Sequence, residues 1–298
     1  WEFQDGSTST AMSPSHVYGA TGTYTETLTV TDHALQTHSD TVDIIILPNN
    51  PPVADAGGPY EVDEADVIAG TASVLLDGTG SSDDVEIIKY VWDLGLDTFD
   101  GTVFKPHKWD RSSYLLQNNQ VYLPGSTWGS RYLFTSNTEA KGDGLFVEAK
   151  IYHSGSSPQA MFGFKNDSTT NYSYTQMPYA IYLYQSNLYI YEDGTSRGDT
   201  GFNYSYNTWY DYRVEMGNGV VRYYYRQSGV GAPWTLIYTS SFVTAATQLK
   251  SGVVANQANT YIDDLRLSAV GSQVNLPVYG PGVATLTVED NAHQTHTD

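Results

Sequence analysis

Tyrosine residues form the pattern with the clearest chemical potential in this chain. Along residues 179–191, aliphatic side chains alternate with tyrosines. Successive side chains of a β-strand point to opposite sides, so the segment predicts a hairpin, turning at residues 185–187, with one aliphatic and one aromatic face. The aromatic face is predicted to present Tyr182, Tyr184, Tyr189 and Tyr191. Aromatic rings stack on the apolar faces of sugars while phenol hydroxyls bond to ring substituents, so this face is a candidate glycan-binding platform.

A second alternating segment would extend this platform. In residues 220–226, Arg222 and Tyr224 fall on the side opposite Val221 and Tyr223. An alternative explanation needs no ligand. Tyrosine suits half-buried pleated surfaces, and both faces of such a sheet can be covered by the protein itself.

The sequence lacks the residue patterns that common hydrolytic mechanisms require. Glycoside hydrolysis uses two carboxylates held at a set separation across the scissile bond. Glu148 and the Glu192–Asp193 pair are the nearest candidates, and neither has a second Glu at the alternating spacing. Serine nucleophile elbows, phosphate-binding loops and His-Glu-x-x-His motifs are also missing. No enzymatic activity is therefore predicted.

Charge and composition narrow the classes of partner. The 298-residue chain has 14 Lys and Arg against 33 Asp and Glu, a formal net charge of -19. Such a field repels phosphate backbones and anionic membrane surfaces, so no nucleic acid is expected as a partner, whereas divalent cations are favoured. No apolar run approaches the roughly 20 residues of a membrane helix, so no membrane insertion is expected in this segment. The chain has no cysteine, so disulfides and thiolate metal sites are excluded.

The elements that must position these residues are predicted to be strands. The chain contains 25 Tyr and 27 Gly, with abundant Thr, Ser and Val, a composition that favours strands and turns. Alternation recurs at residues 24–30, 147–152, 179–191 and 285–288, while no segment sustains an apolar period of 3.6 residues. The chain is therefore predicted to be all-β, and its length suggests two or three domains.

Internal repeats define the predicted domain organisation. The segment Val30–Asp40 returns as Val288–Asp298 at an offset of 258, and Trp1–Gly6 returns as Trp92–Asp97 at an offset of 91. If both pairs mark one repeat, the second copy holds 167 more residues between its landmarks, which is 258 minus 91. An excess of that length is the size of a domain.

Four motifs resemble the PKD (polycystic kidney disease) domain, and they are Pro51–Tyr60, Val74–Asp83, Ile88–Asp93 and His16–Asp32. The resemblance covers residues 1–102 and 275–298. It implies immunoglobulin-like β-sandwiches, of a family common in tandem on microbial surface proteins and in secreted hydrolases, with Trp92 in the core between two sheets. Residues 1–47 would then be the C-terminal part of a first repeat and 48–52 a linker. Residues 53–102 plus 275–298 would be a second repeat, split and without its closing strand.

The remaining segment, residues 103–274, is predicted to be a domain inserted into the second repeat. Its order of features resembles the concanavalin A-like lectin/glucanase superfamily, which includes laminin-G-like modules. The features are Asp143–Tyr152, Trp209–Glu215, Val220–Tyr225, Trp234–Tyr238 and Tyr261–Leu267. The resemblance implies a jelly-roll β-sandwich, so the predicted fold class is immunoglobulin-like PKD sandwiches with an inserted concanavalin-like sandwich.

Two carboxylate pairs are candidate ligands for structural calcium, which prefers oxygen donors. Asp263–Asp264 resembles a pair that supplies a calcium ligand in many jelly-roll carbohydrate modules. Asp83–Asp84 precedes Trp92 on a loop where some PKD relatives bind calcium, although the surrounding sequence departs from their common form. The alternative is that all four are solvated turn residues.

Together these features predict a non-catalytic extracellular or cell-surface protein with a role in adhesion or in a filament, whose PKD repeats are a scaffold that displays the lectin-like domain. The expected partners are a polysaccharide or glycoprotein glycan, and neighbouring copies or flanking repeats of the same protein. The alternative prediction is a carbohydrate-binding accessory module of a secreted polysaccharide-degrading enzyme.

Overall fold

The computed structural model describes residues 1–61, 72–97, 109–111, 115–117, 120–125, 127–135, 138–278 and 284–298. Within these ranges the regular elements are strands, apart from a 3₁₀ turn at Tyr174–Gln176. The prediction of an all-β chain is confirmed. No helix in the described part of the chain is long and apolar enough to cross a membrane. The chain divides into two compact units, Trp1–Asn50 and Pro51–Asp298.

The first unit is built on an antiparallel hairpin, β1 (Gly22–Thr31) and β2 (Thr37–Ile46). The N-terminal segment lies beside β1, because Glu2 bridges to Thr27 with its N–H 2.8 Å from the Thr27 carbonyl oxygen. The turn of the hairpin is closed by Asp32, whose carboxylate accepts the Gln36 N–H at 2.8 Å.

The second unit contains the remaining described strands. In chain order they are β3 (Ala72–Asp77), β4 (Ile87–Asp97), β5 (Trp109–Arg111), β6 (Leu115–Gln117), β7 (Gln120–Leu123), β8 (Arg131–Thr135), β9 (Glu139–Ala140), β10 (Phe146–Asn166), β11 (Tyr179–Tyr184), β12 (Asn187–Glu192), β13 (Thr195–Asn203), β14 (Tyr210–Gly217), β15 (Val220–Gln227), β16 (Thr235–Ser240), β17 (Gln248–Val270), β18 (Gln273–Val278), β19 (Thr285–Asp290) and β20 (Thr295–Thr297).

Two long antiparallel strands, β10 and β17, organise this unit because each takes part in two sheets. Their pairing is interrupted between Ser154 and Gln159, where both strands pass from one sheet to the other. The first sheet has the order β13-β12-β11-β10-β17-β8-β5, with β9 beside β17. The second sheet has the order β16-β15-β14-β10-β17-β7-β6.

The inner faces of the two sheets form the larger hydrophobic core. The Phe162 ring of the first sheet lies 6.4 Å from the Tyr212 ring of the second, so the sheets pack face to face as a β-sandwich. Alternate residues of each strand enter this core. In β14, for example, Tyr212 and Val214 are at most 1% exposed, whereas their neighbours are half-buried.

A smaller core surrounds Trp92 on β4. Trp92 is 1% exposed, packs with Leu286 and Ala269, and donates its indole N–H to the Gly271 carbonyl at 3.0 Å. The predicted core position of Trp92 is therefore confirmed. Strand β4 pairs with β19 on one side and with the end of β17 on the other, so β17 runs from the larger core into the smaller one.

The two units contain matching local geometry. The bridge Glu2–Thr27 in the first unit corresponds to the pair Asp93–Thr285 in the second, since the offsets are 91 and 258. The turn after β19 also matches the turn after β1, because the Asp290 carboxylate accepts the Gln294 N–H at 2.8 Å. Leu35 and His293, which occupy equivalent turn positions, both have a φ of 63°.

Candidate functional site

Strands β11 and β12 form the two-faced hairpin that the tyrosine pattern predicts. Tyr182 pairs with Tyr189, and the turn residues Gln185 and Ser186 have φ angles of 47° and 71°. The aliphatic side chains of the hairpin face the larger core and are at most 1% exposed. The alternating tyrosines consequently lie on the outer face of the first sheet. We call this surface the tyrosine hairpin face; it comprises Tyr182, Tyr184, Tyr189 and Tyr191.

Tyr182 is the centre of this face. Its ring centroid lies 5.4 Å from that of Tyr184, 6.2 Å from that of Tyr189 and 5.3 Å from that of Tyr191. Burial, together with the neighbouring tyrosines, raises the pKa of Tyr182 above its ordinary value. The phenol is therefore neutral at physiological pH and keeps its O–H donor.

Part of the tyrosine hairpin face is covered by the protein itself. Trp128 lies 5.8 Å from Tyr182, and Tyr174 lies 6.2 Å from Tyr191, measured between ring centroids. Trp128 and Tyr174 also contact each other at 5.4 Å and pack against a small cluster of buried side chains. Tyr184 and Tyr189, next to the hairpin turn, also pack edge to face, with ring centroids 6.0 Å apart.

The structure does not bring Arg222 and Tyr224 to the tyrosine hairpin face, so their predicted extension of that platform is wrong. Both belong to β15 in the second sheet, where Val221 and Tyr223 point into the core. Arg222 and Tyr224 therefore point outward on the opposite side of the sandwich. Their polar groups are engaged locally, since the Tyr224 hydroxyl donates to Glu215 at 2.9 Å and Arg222 donates to the Gly217 carbonyl at 3.1 Å.

That opposite face carries a row of alternating charges, which we call the charge ladder; it comprises Asp93, Arg266, Glu148, Arg213 and Glu215. Arg213 is 2.8 Å from the Glu148 carboxylate and 2.7 Å from that of Glu215. Arg266 donates to Asp93 at 2.9 Å and lies 3.9 Å from Glu148. The ladder crosses four adjacent strands and extends from the sandwich to β4.

The two glutamates with the best sequence position for acid–base chemistry lie in separate environments. Glu148 is on the outer face and is paired with Arg213. Glu192 is 1% exposed and accepts bonds from the Arg197 guanidinium at 2.7 Å and the Tyr223 hydroxyl at 3.0 Å. The two carboxylates are bonded to different partners and do not form the facing pair that glycosidases use.

The first predicted calcium pair forms a bulge in β17. Asp264 has a φ of 46° and donates its N–H to the Asp263 carboxylate at 3.0 Å. Its own carboxylate lies 3.3 Å from the Lys150 ammonium group. Burial is the main cause that raises the pKa of Asp263, and the neighbouring Asp264 charge adds to it. The pair thus already has one cationic partner.

The second predicted calcium pair lies in the loop before β4. One carboxylate oxygen of Asp83 accepts the N–H groups of Val85 and Glu86 at 2.9 and 2.7 Å, an arrangement typical of turns. Asp84 also has a polar partner. Among the residues that the structure describes, no three His, Cys, Asp or Glu side chains are grouped closely enough to hold a metal ion.

An aromatic row that was not predicted from the sequence lies on the outer face of the second sheet. We call it the Trp209 row; it comprises Tyr122, Tyr261, Tyr152 and Trp209. The three tyrosines occupy one cross-strand line over β7, β17 and β10, since Tyr261 pairs with both Tyr122 and Tyr152. Consecutive ring centroids are 4.8, 5.6 and 5.3 Å apart. All four side chains are half-buried.

A polar margin borders the Trp209 row. The Tyr122 hydroxyl donates to the Asn259 side chain at 2.7 Å, and the Tyr152 hydroxyl donates to the Asn207 side chain at 3.3 Å. The Lys150 ammonium group lies 5.3 Å from the centre of the Trp209 ring. Each tyrosine follows or precedes a core aliphatic residue, so its outward direction was readable from the sequence. The register of β7, β17 and β10, which aligns the three tyrosines, could not be inferred from the sequence.

Comparison with known proteins finds a family match in the first part of the chain. The PKD domain family model matches residues 1–46. The dyslexia-associated protein KIAA0319-like protein of Mus musculus is 40% identical over 74 residues, which are 24% of this chain and 7% of the mouse protein.

Two solved structures share low identity with the chain. The Lotus tetragonolobus seed lectin is 7% identical, with a TM-score of 0.48 over 60% of this chain and 99% of the lectin. The GH43 protein BlXynB from Bacillus licheniformis is 16% identical, with a TM-score of 0.44 over 59% of this chain and 39% of that protein.

Proposed function

We propose that this chain is a non-catalytic segment of an extracellular surface protein, in which a split PKD repeat displays a β-sandwich that binds glycans through the tyrosine hairpin face. The observation that carries the binding proposal is that Tyr184 and Tyr189 lie half-buried on the outer face of one hairpin, beside its turn. In this proposal the repeat is the scaffold and the sandwich is the ligand-binding module.

The matching register of the two units supports the split repeat. The pairs Glu2–Thr27 and Asp93–Thr285 are equivalent at the two offsets, and the turns at Asp32 and Asp290 have the same hydrogen bonds. We assign residues 53–102 and 275–298 to the second repeat and residues 103–274 to the insertion. The PKD match at residues 1–46 supports the assignment of the first repeat.

The continuity of β17 supports a firm connection between scaffold and sandwich. This strand pairs with β10 in the sandwich and with β4 beside Trp92. Ala269, near its end, packs in the Trp92 core, so the last strand of the proposed insertion also contributes to the host repeat.

The chemistry of the hairpin tyrosines supports a sugar ligand. Tyr184 and Tyr189 are half-buried beside the turn and pack edge to face, whereas Tyr182 and Tyr191 are packed under Trp128 and Tyr174. We therefore assign direct contact to Tyr184 and Tyr189 and a supporting role to the other two. Phenol rings offer both an apolar face and a hydrogen-bonding group, as carbohydrate recognition requires.

The pairing of the acidic groups supports a binding role over hydrolysis. Glu148 is held by Arg213, and Glu192 is held by Arg197 and Tyr223. An accessory module of a polysaccharide-degrading enzyme would use the same binding surface. The two possibilities differ in which domains accompany this segment, and both predict binding without turnover.

A glycan array with a panel of soluble polysaccharides tests the proposal. We expect the intact chain to bind, and the variant Tyr184→Ala with Tyr189→Ala to lose about tenfold or more in affinity, because central aromatic contacts dominate binding. The control Leu236→Ala truncates a side chain that is 46% exposed in the second sheet and is expected to bind normally. A folded chain that binds no glycan, or a double variant with unchanged affinity, contradicts the proposal.

A further inference from the structure

We propose that the Trp209 row is a second binding surface, on the side of the sandwich opposite the tyrosine hairpin face, and that it takes a linear, uncharged polysaccharide. This inference extends the proposed glycan function to a different site. The two surfaces project from different sheets, so one glycan residue cannot contact both.

The shape of the row favours a chain over a single sugar. Its four rings follow one line across neighbouring strands, with centroid separations of 4.8, 5.6 and 5.3 Å. Tyr122 and Tyr261 are nearly parallel, at 25°, whereas Tyr152 is turned by 75° relative to Tyr261. A line of rings longer than one sugar offers successive contacts to an extended polymer, each formed by stacking on an apolar sugar face.

The polar margin supplies the hydrogen-bonding groups that orient sugars. The oxygens of Asn259 and Asn207 accept from the hydroxyls of Tyr122 and Tyr152. Each amide also carries an NH₂ group with two donors, which suits sugar hydroxyl oxygens. Because the amides hold the tyrosine hydroxyls, the rings are positioned before a ligand arrives, which lowers the entropy cost of binding.

The charges near the Trp209 row and the net charge of the chain indicate which class of polysaccharide this surface can bind. Lys150, which lies over Trp209, is already paired with Asp264, and Asp263 adds a second carboxylate beside it. The whole chain carries a formal net charge of -19. Sulfated or uronic acid chains would be repelled by this field, whereas an uncharged chain would not. An uncharged polymer is therefore the occupant that this surface fits.

Affinity electrophoresis of the full chain in gels containing soluble uncharged polysaccharides tests the inference. We expect Tyr261→Ala and Trp209→Ala each to weaken retardation by about tenfold. Asn207→Gly is a milder variant that keeps the left-handed backbone, since Asn207 has a φ of 54°, and it is expected to weaken retardation by about threefold. A carboxymethylated form of the same polymer is expected to bind less.

The variants of the two surfaces separate this inference from the proposed function. If Tyr184→Ala with Tyr189→Ala abolishes retardation and the folded Tyr261→Ala and Asn207→Gly variants change nothing, the Trp209 row is not a binding surface. If the row variants lose binding and the hairpin variant does not, the inference holds and the hairpin assignment fails. Partial loss in each variant and complete loss in the combined variant would support both surfaces.

Discussion

The two outer faces of the sandwich both carry clustered aromatic side chains, but they use them differently. On the first sheet, Trp128 and Tyr174 lie over the tyrosine hairpin face and close a small core beneath it. On the second sheet, the Trp209 row is bordered by amides and continues into the charge ladder. One face is mainly a packed layer, and the other is mainly a polar surface with a line of rings.

This difference shows what an alternating tyrosine pattern determines. Period-two alternation fixes which side of a strand a residue occupies. Whether that side is covered depends on segments far along the chain, such as the one that brings Trp128 to within 5.8 Å of Tyr182. The distinction between a platform and a packed layer is therefore a tertiary property.

The largest expected effect concerns His153 on β10, next to the point where this strand passes from one sheet to the other. His153 is 2% exposed, its Nδ1 lies 3.1 Å from the Thr260 hydroxyl, and burial lowers its pKa to about 3. The folded state therefore holds the ring neutral, while the unfolded chain protonates it below its usual pKa of 6.5. Stability from this group is complete above pH 6.5 and is lost as the pH falls towards 3, by up to about 5 kcal/mol.

Urea unfolding between pH 8 and pH 3 measures this loss. Because glutamine cannot titrate, His153→Gln is expected to be less stable than the parent at pH 7 but to lose much less stability on acidification. Parallel pH profiles for the two proteins would show that His153 is not buried and neutral. The decisive quantity is the slope of the unfolding free energy against pH in each protein, because the carboxylates contribute equally to both curves.

The next largest expected effect is a difference in stability loss between truncation of Trp128 and truncation of Trp209. Trp128→Ala uncovers the buried cluster around Phe134 and Met161, so we expect a loss of about 3 kcal/mol, as for a large core truncation. Trp209→Ala removes a contact with Tyr152 and the cation–π contact with Lys150, and we expect a loss of about 1 kcal/mol. Thermal or urea unfolding checks the order, and equal losses would mean that both faces are equally packed.

Local sequence patterns predicted the parts of the fold that depend on neighbouring residues. The all-β fold and the two-faced hairpin follow from composition and alternation, and the core position of Trp92 follows from the resemblance to the PKD domain; the structure confirms all three. The matched segments Val30–Asp40 and Val288–Asp298 also form turns with the same hydrogen bonds, a detail that the repeat offset alone does not predict.

Features that depend on strand order were not predictable in this way. Arg222 and Tyr224 have the same alternation as the hairpin tyrosines, and only the assignment of β15 to the second sheet shows that they face the other side. The Trp209 row likewise requires the register of three strands that are distant in sequence. Loop closure and sheet pairing, which set these relations, are non-local.

A smaller effect tests the electrostatic character of the second face. Glu148→Gln removes the carboxylate between Arg213 and Arg266, whose side chains are 27% and 42% exposed. We expect a loss of about 1 kcal/mol in low salt, because partly exposed ion pairs contribute modestly, and less in 1 M NaCl. Glu86→Gln, on an exposed loop, is the control for a lost negative charge. A salt-independent loss would indicate packing of the side chain and not charge.

The smallest effect concerns the bulge beside the Trp209 row. Burial and the neighbouring Asp264 raise the pKa of Asp263, so the ionised carboxylate opposes folding at neutral pH. Asp263→Asn is therefore expected to increase stability by about 0.3 kcal/mol at pH 7, a value limited by solvent screening, and to lose this effect as the pH falls well below the ordinary pKa of 3.8, where Asp263 is protonated in both states. Asp264→Asn is the matched comparison, because it also removes the ion pair with Lys150.

A calcium ion bound at Asp263 and Asp264 would reverse the sign of this last prediction. An ion held by the two carboxylates would offset their repulsion, so millimolar calcium would raise the melting temperature of the parent and not that of Asp263→Asn. Melting curves in calcium and in chelator therefore distinguish a bulge stabilised by Lys150 from a calcium ligand pair. Bound calcium would also add positive charge next to the Trp209 row, so a calcium-dependent rise in melting temperature predicts weaker repulsion of acidic polysaccharides from this face.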